Sequence, residues 1–196
     1  MTWYLFFKAV HVIAAVVWVG GAAIIQGYAF RILRTGDGRR QAEFAKDTEV
    51  VSMRAFTPAS LILFLAAIAM MINADWPWGQ NWITLGVIAF GLSFVLGIGF
   101  LGPESGRVGR VIEEHGPESA LATARIRRIL AVSRAELVVL LTVVWNMVVK
   151  PANDPGWFWG SIVVMVLGVA AVLGSYAASA RTPQSSSSTT TAPPAT

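Results

Sequence analysis

Hydrophobic positions in this chain come in long unbroken blocks rather than in the alternations of a soluble domain. The first block, WYLFFKAVHVIAAVVWVGGAAIIQGYAF over residues 3–30, contains one fully charged side chain, Lys8. As a helix it would reach about 42 Å, enough to cross a hydrocarbon core of about 30 Å. Four further blocks predict spans at 55–72, 82–101, 129–149 and 157–180. The fold class expected is therefore all-α, a polytopic membrane bundle of five transmembrane helices packed around the first.

The polar intervals carry their own signals. Gly36-Asp37-Gly38 should break the chain, and 39–53 has the composition of a solvated helical extension leading into span 2. Thr57-Pro58 is either an N-cap followed by proline in the first turn or a kink within a continuous helix. NADWPWGQN is a turn with interfacial tryptophans. Gly102-Pro103 should stop or kink span 3, and Gly116-Pro117 marks another break. Residues 1–181 make one integral membrane helical domain. The stretch 182–196 has no apolar side chain larger than alanine and is expected to be a disordered Ser/Thr/Pro tail.

Charge orients the bundle. Lys and Arg number six after span 1, none after span 2, five after span 3, one after span 4 and one after span 5. Under the positive-inside rule this alternation predicts an N-terminus outside and a cytoplasmic C-terminus. The aromatic N-terminus, without a basic n-region, reads as a retained helix and not a signal peptide. Composition agrees with a membrane class, since 55% of residues are hydrophobic and 13% charged, about half the usual charged fraction of ~25%. A net charge of +4 would suggest nucleic acid in a soluble chain, but here the basic residues flank apolar spans, so the partner expected is the lipid bilayer and not nucleic acid. The bias toward Arg, Ala, Gly and Val is associated with GC-rich bacterial coding, and with the five spans the expected location is the bacterial cytoplasmic (inner) membrane, multi-pass. Cysteine is absent, which removes disulfides and thiolate chemistry.

Candidate chemistry is confined to polar groups inside the spans, where each is expensive and a functional hypothesis by default. His11 needs a partner, expected from Thr142 or Asn146; it is also the candidate for a cofactor, a haem or metal ligand. Lys8 can snorkel outward. Arg134 and Glu136, two residues apart on span 4, should point to opposite sides. Trp18 lies about 22 Å from Trp3 and Glu136 about 21 Å from Lys150, so on antiparallel neighbours an indole N–H could reach the carboxyl, with Gly20-Gly21 permitting close approach. Stripes of small residues at Ala89, Ser93 and Gly97, and at Ala170, Gly174 and Ala178, are faces for helix packing or for a homo-oligomer. Nucleophile, zinc, Walker and dinucleotide motifs are missing from the chain, which supplies neither a catalytic constellation nor a metal site.

Four separated blocks resemble a known family. HxxxxxxWxGG at His11, Trp18, Gly20 and Gly21, FLGPES at Phe100 to Ser105, RIRR at Arg125 to Arg128 and MVVKP at Met147 to Pro151 are similar to the bacterial integral membrane proteins of domain-of-unknown-function family 2269. That resemblance implies a membrane class and no chemistry. The first block alone is similar to the opening helix of the copper-resistance D and membrane protoporphyrinogen oxidase families, which implies a haem or metal connection through a helix-1 histidine. Spans 2 to 5 contain no histidine, so a bis-histidine haem within one chain is not expected and haem is not favoured. The function expected is that of a non-catalytic membrane interaction or scaffold protein. The alternative is a small transport or haem/metal-linked redox component using His11 and an intramembrane Glu136 site.

Overall fold

The computed structural model describes residues 3–151 and 153–181, so the expected tail at 182–196 lies outside the described residues. Among the described residues are five long helices, each apolar enough to cross a membrane: α1 (Trp3–Thr35), α2 (Gly38–Ala74), α3 (Asn81–His115), α4 (Ala120–Val149) and α5 (Pro155–Arg181). The first four hold 33, 37, 35 and 30 residues. At 1.5 Å per residue they are about 45 to 55 Å long and must project well beyond a ~30 Å core. They do so on the side that carries the arginine-rich connections, called here the basic side.

Helix ends follow from local chemistry. Gly36 ends α1 in the left-handed region at φ 71, and the Asp37 side chain accepts the Arg40 N–H at 3.1 Å to start α2. Gly116, at φ 81, closes α3, and Ser119 caps α4 by accepting the Ala122 N–H at 3.2 Å. Both are ordinary exchanges of orphan end groups for side-chain partners.

Three turns of wider π-type pitch interrupt the helices, at Val16–Gly20, Ser52–Phe56 and Gly97–Leu101. Two of them answer the questions left by Pro58 and Pro103, since both helices run on through their prolines. Proline lacks an N–H and its ring collides with the carbonyl four residues back, which ordinarily breaks a helix. In each case the π-turn ends two residues before the proline and displaces that carbonyl. The Thr57 hydroxyl donates to the Ser52 carbonyl at 3.0 Å, and the Gly102 N–H bonds the Gly97 carbonyl. The third π-turn lies against that of α2. There a Cβ on Gly21 would sit 2.6 Å from Phe56 Cε1, so the diglycine opens α1 to α2 and not, as expected from sequence, to α4.

Packing also moves the centre of the fold. The sequence reading put α1 at the hub; α4 holds that place. It contacts α3 along both its halves, carries α5, and touches α1 beyond the π-turn and the polar half of α2. The apolar half of α1 is paired to α2 instead. Within the membrane Val19, Leu137 and Leu140 form a small core, with Trp18 and Ala22 against it. Close approach is set by single glycines: Gly86 receives the Met147 methyl, and a Cβ on Gly168 would meet Val138 Cγ1 at 2.5 Å. Of the small-residue stripes, Ala89 and Ser93 are buried, whereas Gly97 and Gly174 have open space before them and Ala170 is exposed.

On the basic side the projecting ends of α1 to α4 form a four-helix head. Its core joins Ala29 of α1, Val108 of α3, and Ile126 and Leu130 of α4, with Leu33, Phe44 and Ile112 packed on them. The sequence suggested solvated extensions there; what it concealed is that they share a core.

Candidate functional site

Among the described residues, polar side chains buried between helices are the first candidates for chemistry, and the structure gives most of them a partner on another helix. His11 Nδ1 lies 3.0 Å from the Leu63 carbonyl on α2. A carbonyl only accepts, so Nδ1 carries a proton, and in the neutral ring Nε2 keeps its lone pair. The partners expected from sequence are engaged elsewhere. Thr142 donates to the Val138 carbonyl at 2.9 Å. Asn146, wholly buried, donates to the Thr142 carbonyl at 2.8 Å and accepts from Trp157 Nε1 at 3.0 Å and from the Ser161 hydroxyl at 3.2 Å, both on α5. The reason is rotational: the His11 face of α1 is the one turned to α2.

The expected Trp18 to Glu136 bond is also replaced. The Glu136 carboxyl has the buried Ser93 of α3 as its polar neighbour. Trp18 does pack beside Leu137 and Leu140, but its ring meets Phe90 of α3 edge-on, with centroids 6.1 Å apart. Phe90 in turn stacks on Phe64 of α2 at 4.6 Å, so aromatic rings tie the three helices at this depth. Arg134 faces α1, where its Nε approaches Gln26 Oε1 at 3.4 Å, while Gln26 Nε2 donates to the Leu130 carbonyl at 3.3 Å. Arg134 and Glu136 thus serve opposite neighbours, as their spacing required. Arg134 turns to α1 and not to α3 or the arginine-rich end. Gln26 was missed, although a lone amide in an apolar run was signal enough.

The most buried charge was missed as well. Glu104 of α3 is 1% exposed. Its Oε1 takes Arg125 Nη1 of α4 at 2.7 Å and its Oε2 takes Arg107 Nη1 at 3.1 Å. Nearby in the chain Arg128 lies over the Phe100 ring, 5.0 Å from its centroid. FLGPES and RIRR, noticed only as separate motifs, are two sides of one seam. Two polar atoms in the head, Arg125 Nε and Gln41 Oε1, are buried without a hydrogen-bond partner.

These arrangements join helices. A nucleophile beside a base is not among them, and the described residues contain no cluster of three or more His, Asp or Glu suited to a metal. His11 would be the residue to hold a haem or metal, through Nε2, with Nδ1 held by the Leu63 carbonyl as metal-bound imidazoles usually are. The second histidine, His115, ends α3 on the basic side beside Glu114, so a bis-histidine site does not fit a single chain. A family model, described as predicted integral membrane protein (DUF2269), matches residues 5–151. No curated protein and no solved structure matches the chain.

Proposed function

Because the chain belongs to the DUF2269 family of predicted integral membrane proteins, for which no chemistry is implied, we propose a function from the architecture: a non-catalytic membrane scaffold that holds a four-helix head at the cytoplasmic face of the bacterial inner membrane. One observation carries this reading. Three polar groups that are costly to bury, Gln26, Glu104 and Arg134, are bonded between the same helices that continue from the membrane into the head. Such contacts specify helix rotation and register, and a scaffold needs those fixed. The head displays exposed Arg34, Arg39, Arg40, Arg110 and Arg127, suited to anionic headgroups or an acidic partner segment. A homo-oligomer would use the exposed face of α5, where Ala170 and Gly174 remain outside the intrachain packing.

A second reading is favoured by Glu136, a carboxyl inside a span with Ser93 as its polar neighbour: a small transport or redox component in which Glu136 moves a proton and His11 binds a cofactor. One preparation separates the two. Purified protein in detergent should show no Soret band, and proteoliposomes under a pH gradient should leak protons no faster than empty vesicles. A stoichiometric chromophore lost in His11→Ala, or a proton flux lost in Glu136→Gln with folding intact, would establish the second reading in place of the first.

A further inference from the structure

Opposite the head, the turn between α2 and α3 meets the end of α4 in a feature that none of the interhelical bonds above uses. Trp76 and Trp82 stand edge to face, with centroids 5.4 Å apart and planes at 85°. Into the corner between them projects the ammonium of Lys150, 4.7 Å from the Trp76 centroid and 5.1 Å from that of Trp82. Both distances fall inside the ~6 Å reach of a cation over an aromatic face.

The walls are held in place. Trp82 is 7% exposed and its indole N–H donates to Gln80 Oε1 at 2.5 Å, while the Gln80 carbonyl accepts the Ile83 and Thr84 N–H groups at 3.0 Å. The adjoining Asn81 N–H donates to Asn153 Oδ1 at 3.0 Å, which ties the turn to the α4–α5 connection. The occupant is held at a cost. Lys150 sits at φ 46, ψ 58, where the end of a helix ordinarily has glycine or asparagine, and it precedes Pro151, which restricts it further. Among the described residues no ion pair involves Lys150. Its ammonium is received by the indole faces of Trp76 and Trp82.

Perpendicular indoles around an ammonium are the geometry by which proteins take choline-type cations. These lie at helix ends, the depth at which tryptophans meet lipid headgroups. We propose that Trp76 and Trp82 form a receptor for the ammonium of a zwitterionic phospholipid headgroup, for which Lys150 is the internal surrogate. A headgroup entering the corner releases Lys150, and the phosphate of the same headgroup then offers the freed ammonium an anionic partner. One cation replaces another, so the exchange leaves the charge against the indoles unchanged.

The test uses the full chain. In detergent, Lys150→Ala titrated with choline chloride, against matched sodium chloride, should show a saturable rise in Tm and a saturable change in tryptophan emission. Both should vanish when Trp76→Leu is added. If Lys150→Ala does not fold, Lys150→Met keeps the stem and takes its place. In vesicles, wild-type Lys150 should react with an amine reagent several-fold faster in phosphatidylcholine than in phosphatidylglycerol, read by peptide mass spectrometry with Lys8 as internal reference. Acceleration by soluble choline but not by phosphatidylcholine would overturn the lipid source and keep the ammonium receptor. An emptied corner indifferent to choline, together with equal Lys150 reactivity in both lipids, would overturn the proposal entirely.

Discussion

Removing the carboxylate of Glu104 is the sharpest available perturbation of the head. Its two oxygens hold Arg125 of α4 at 2.7 Å and Arg107 of its own helix at 3.1 Å, while Glu104 itself is 1% exposed. The two bonds are unequal. The Arg107 side chain is 53% exposed and three residues away on the same helix, so water and local entropy leave that pair about 0 to 1 kcal/mol. The Arg125 side chain is 30% exposed and joins two helices, and its Nε is already buried without a partner. Breaking a buried pair from one side typically costs about 3 to 5 kcal/mol; partial exposure of the arginine brings the expectation for Glu104→Ala to about 2 to 3 kcal/mol. Glu104→Gln, which keeps an acceptor, should cost about half of that. The assay is reversible unfolding in mixed micelles, run as a double-mutant cycle with Arg125→Met. The coupling should be about 1 kcal/mol or more, and the double mutant should recover part of the loss because no stranded charge remains. A Glu104→Ala cost below about 0.5 kcal/mol, or a cycle with no coupling, would refute the view that this seam holds the head together.

Other substitutions test the packing and the intramembrane site. Gly21→Val drives a side chain into the Phe56 ring and should destabilise by about 1 to 3 kcal/mol, with partial rescue by Phe56→Leu; an unchanged melting curve would remove the α1–α2 contact from the account. Gly168→Leu should disrupt α5 docking on Val138, whereas Gly174→Leu should be tolerated, with cross-linking between cysteines on α4 and α5 as the readout. At Glu136, Gln should fold normally and Leu should loosen α3 from α4, while Trp18→Phe should leave the carboxyl undisturbed; a Trp18→Phe effect matching that of Ser93→Ala would show the indole to be the partner after all.

How far these features could be read beforehand divides along a physical line. Span number, the breaks at Gly36 and Gly116, and the divergence of Arg134 from Glu136 depend on composition, on backbone preferences and on helical spacing, all local to the chain. Which face of α1 meets which neighbour does not. Lipid-facing and helix-facing positions in a membrane are both apolar, so hydropathy leaves rotation about the helix axis undetermined. Hence His11 was assigned to α4 while its Nδ1 meets Leu63 of α2, and Trp18 was assigned to Glu136 while its ring meets Phe90. The π-turns escaped for a related reason. Pro58 and Pro103 announced an irregularity, but only the surrounding packing decides between stopping a helix and widening one turn of it. Glu104 was overlooked because a charge beside glycine and proline reads as loop until Arg125, 21 residues later, is brought against it.

The account rests most heavily on a head that stands in the cytoplasm while the tryptophan corner faces outside. The chain has no cysteine, so single-cysteine variants report without background. In sealed cells and inverted vesicles treated with an impermeant thiol reagent, cysteines at Gly38, Glu113 and Ser186 should label only from the cytoplasmic side, and those at Asn73 and Asp154 only from outside. Labelling of Gly38 or Glu113 from outside would invert the bundle and contradict the scaffold reading at its base, and external labelling of Ser186 alone would mean that the chain crosses the membrane other than five times.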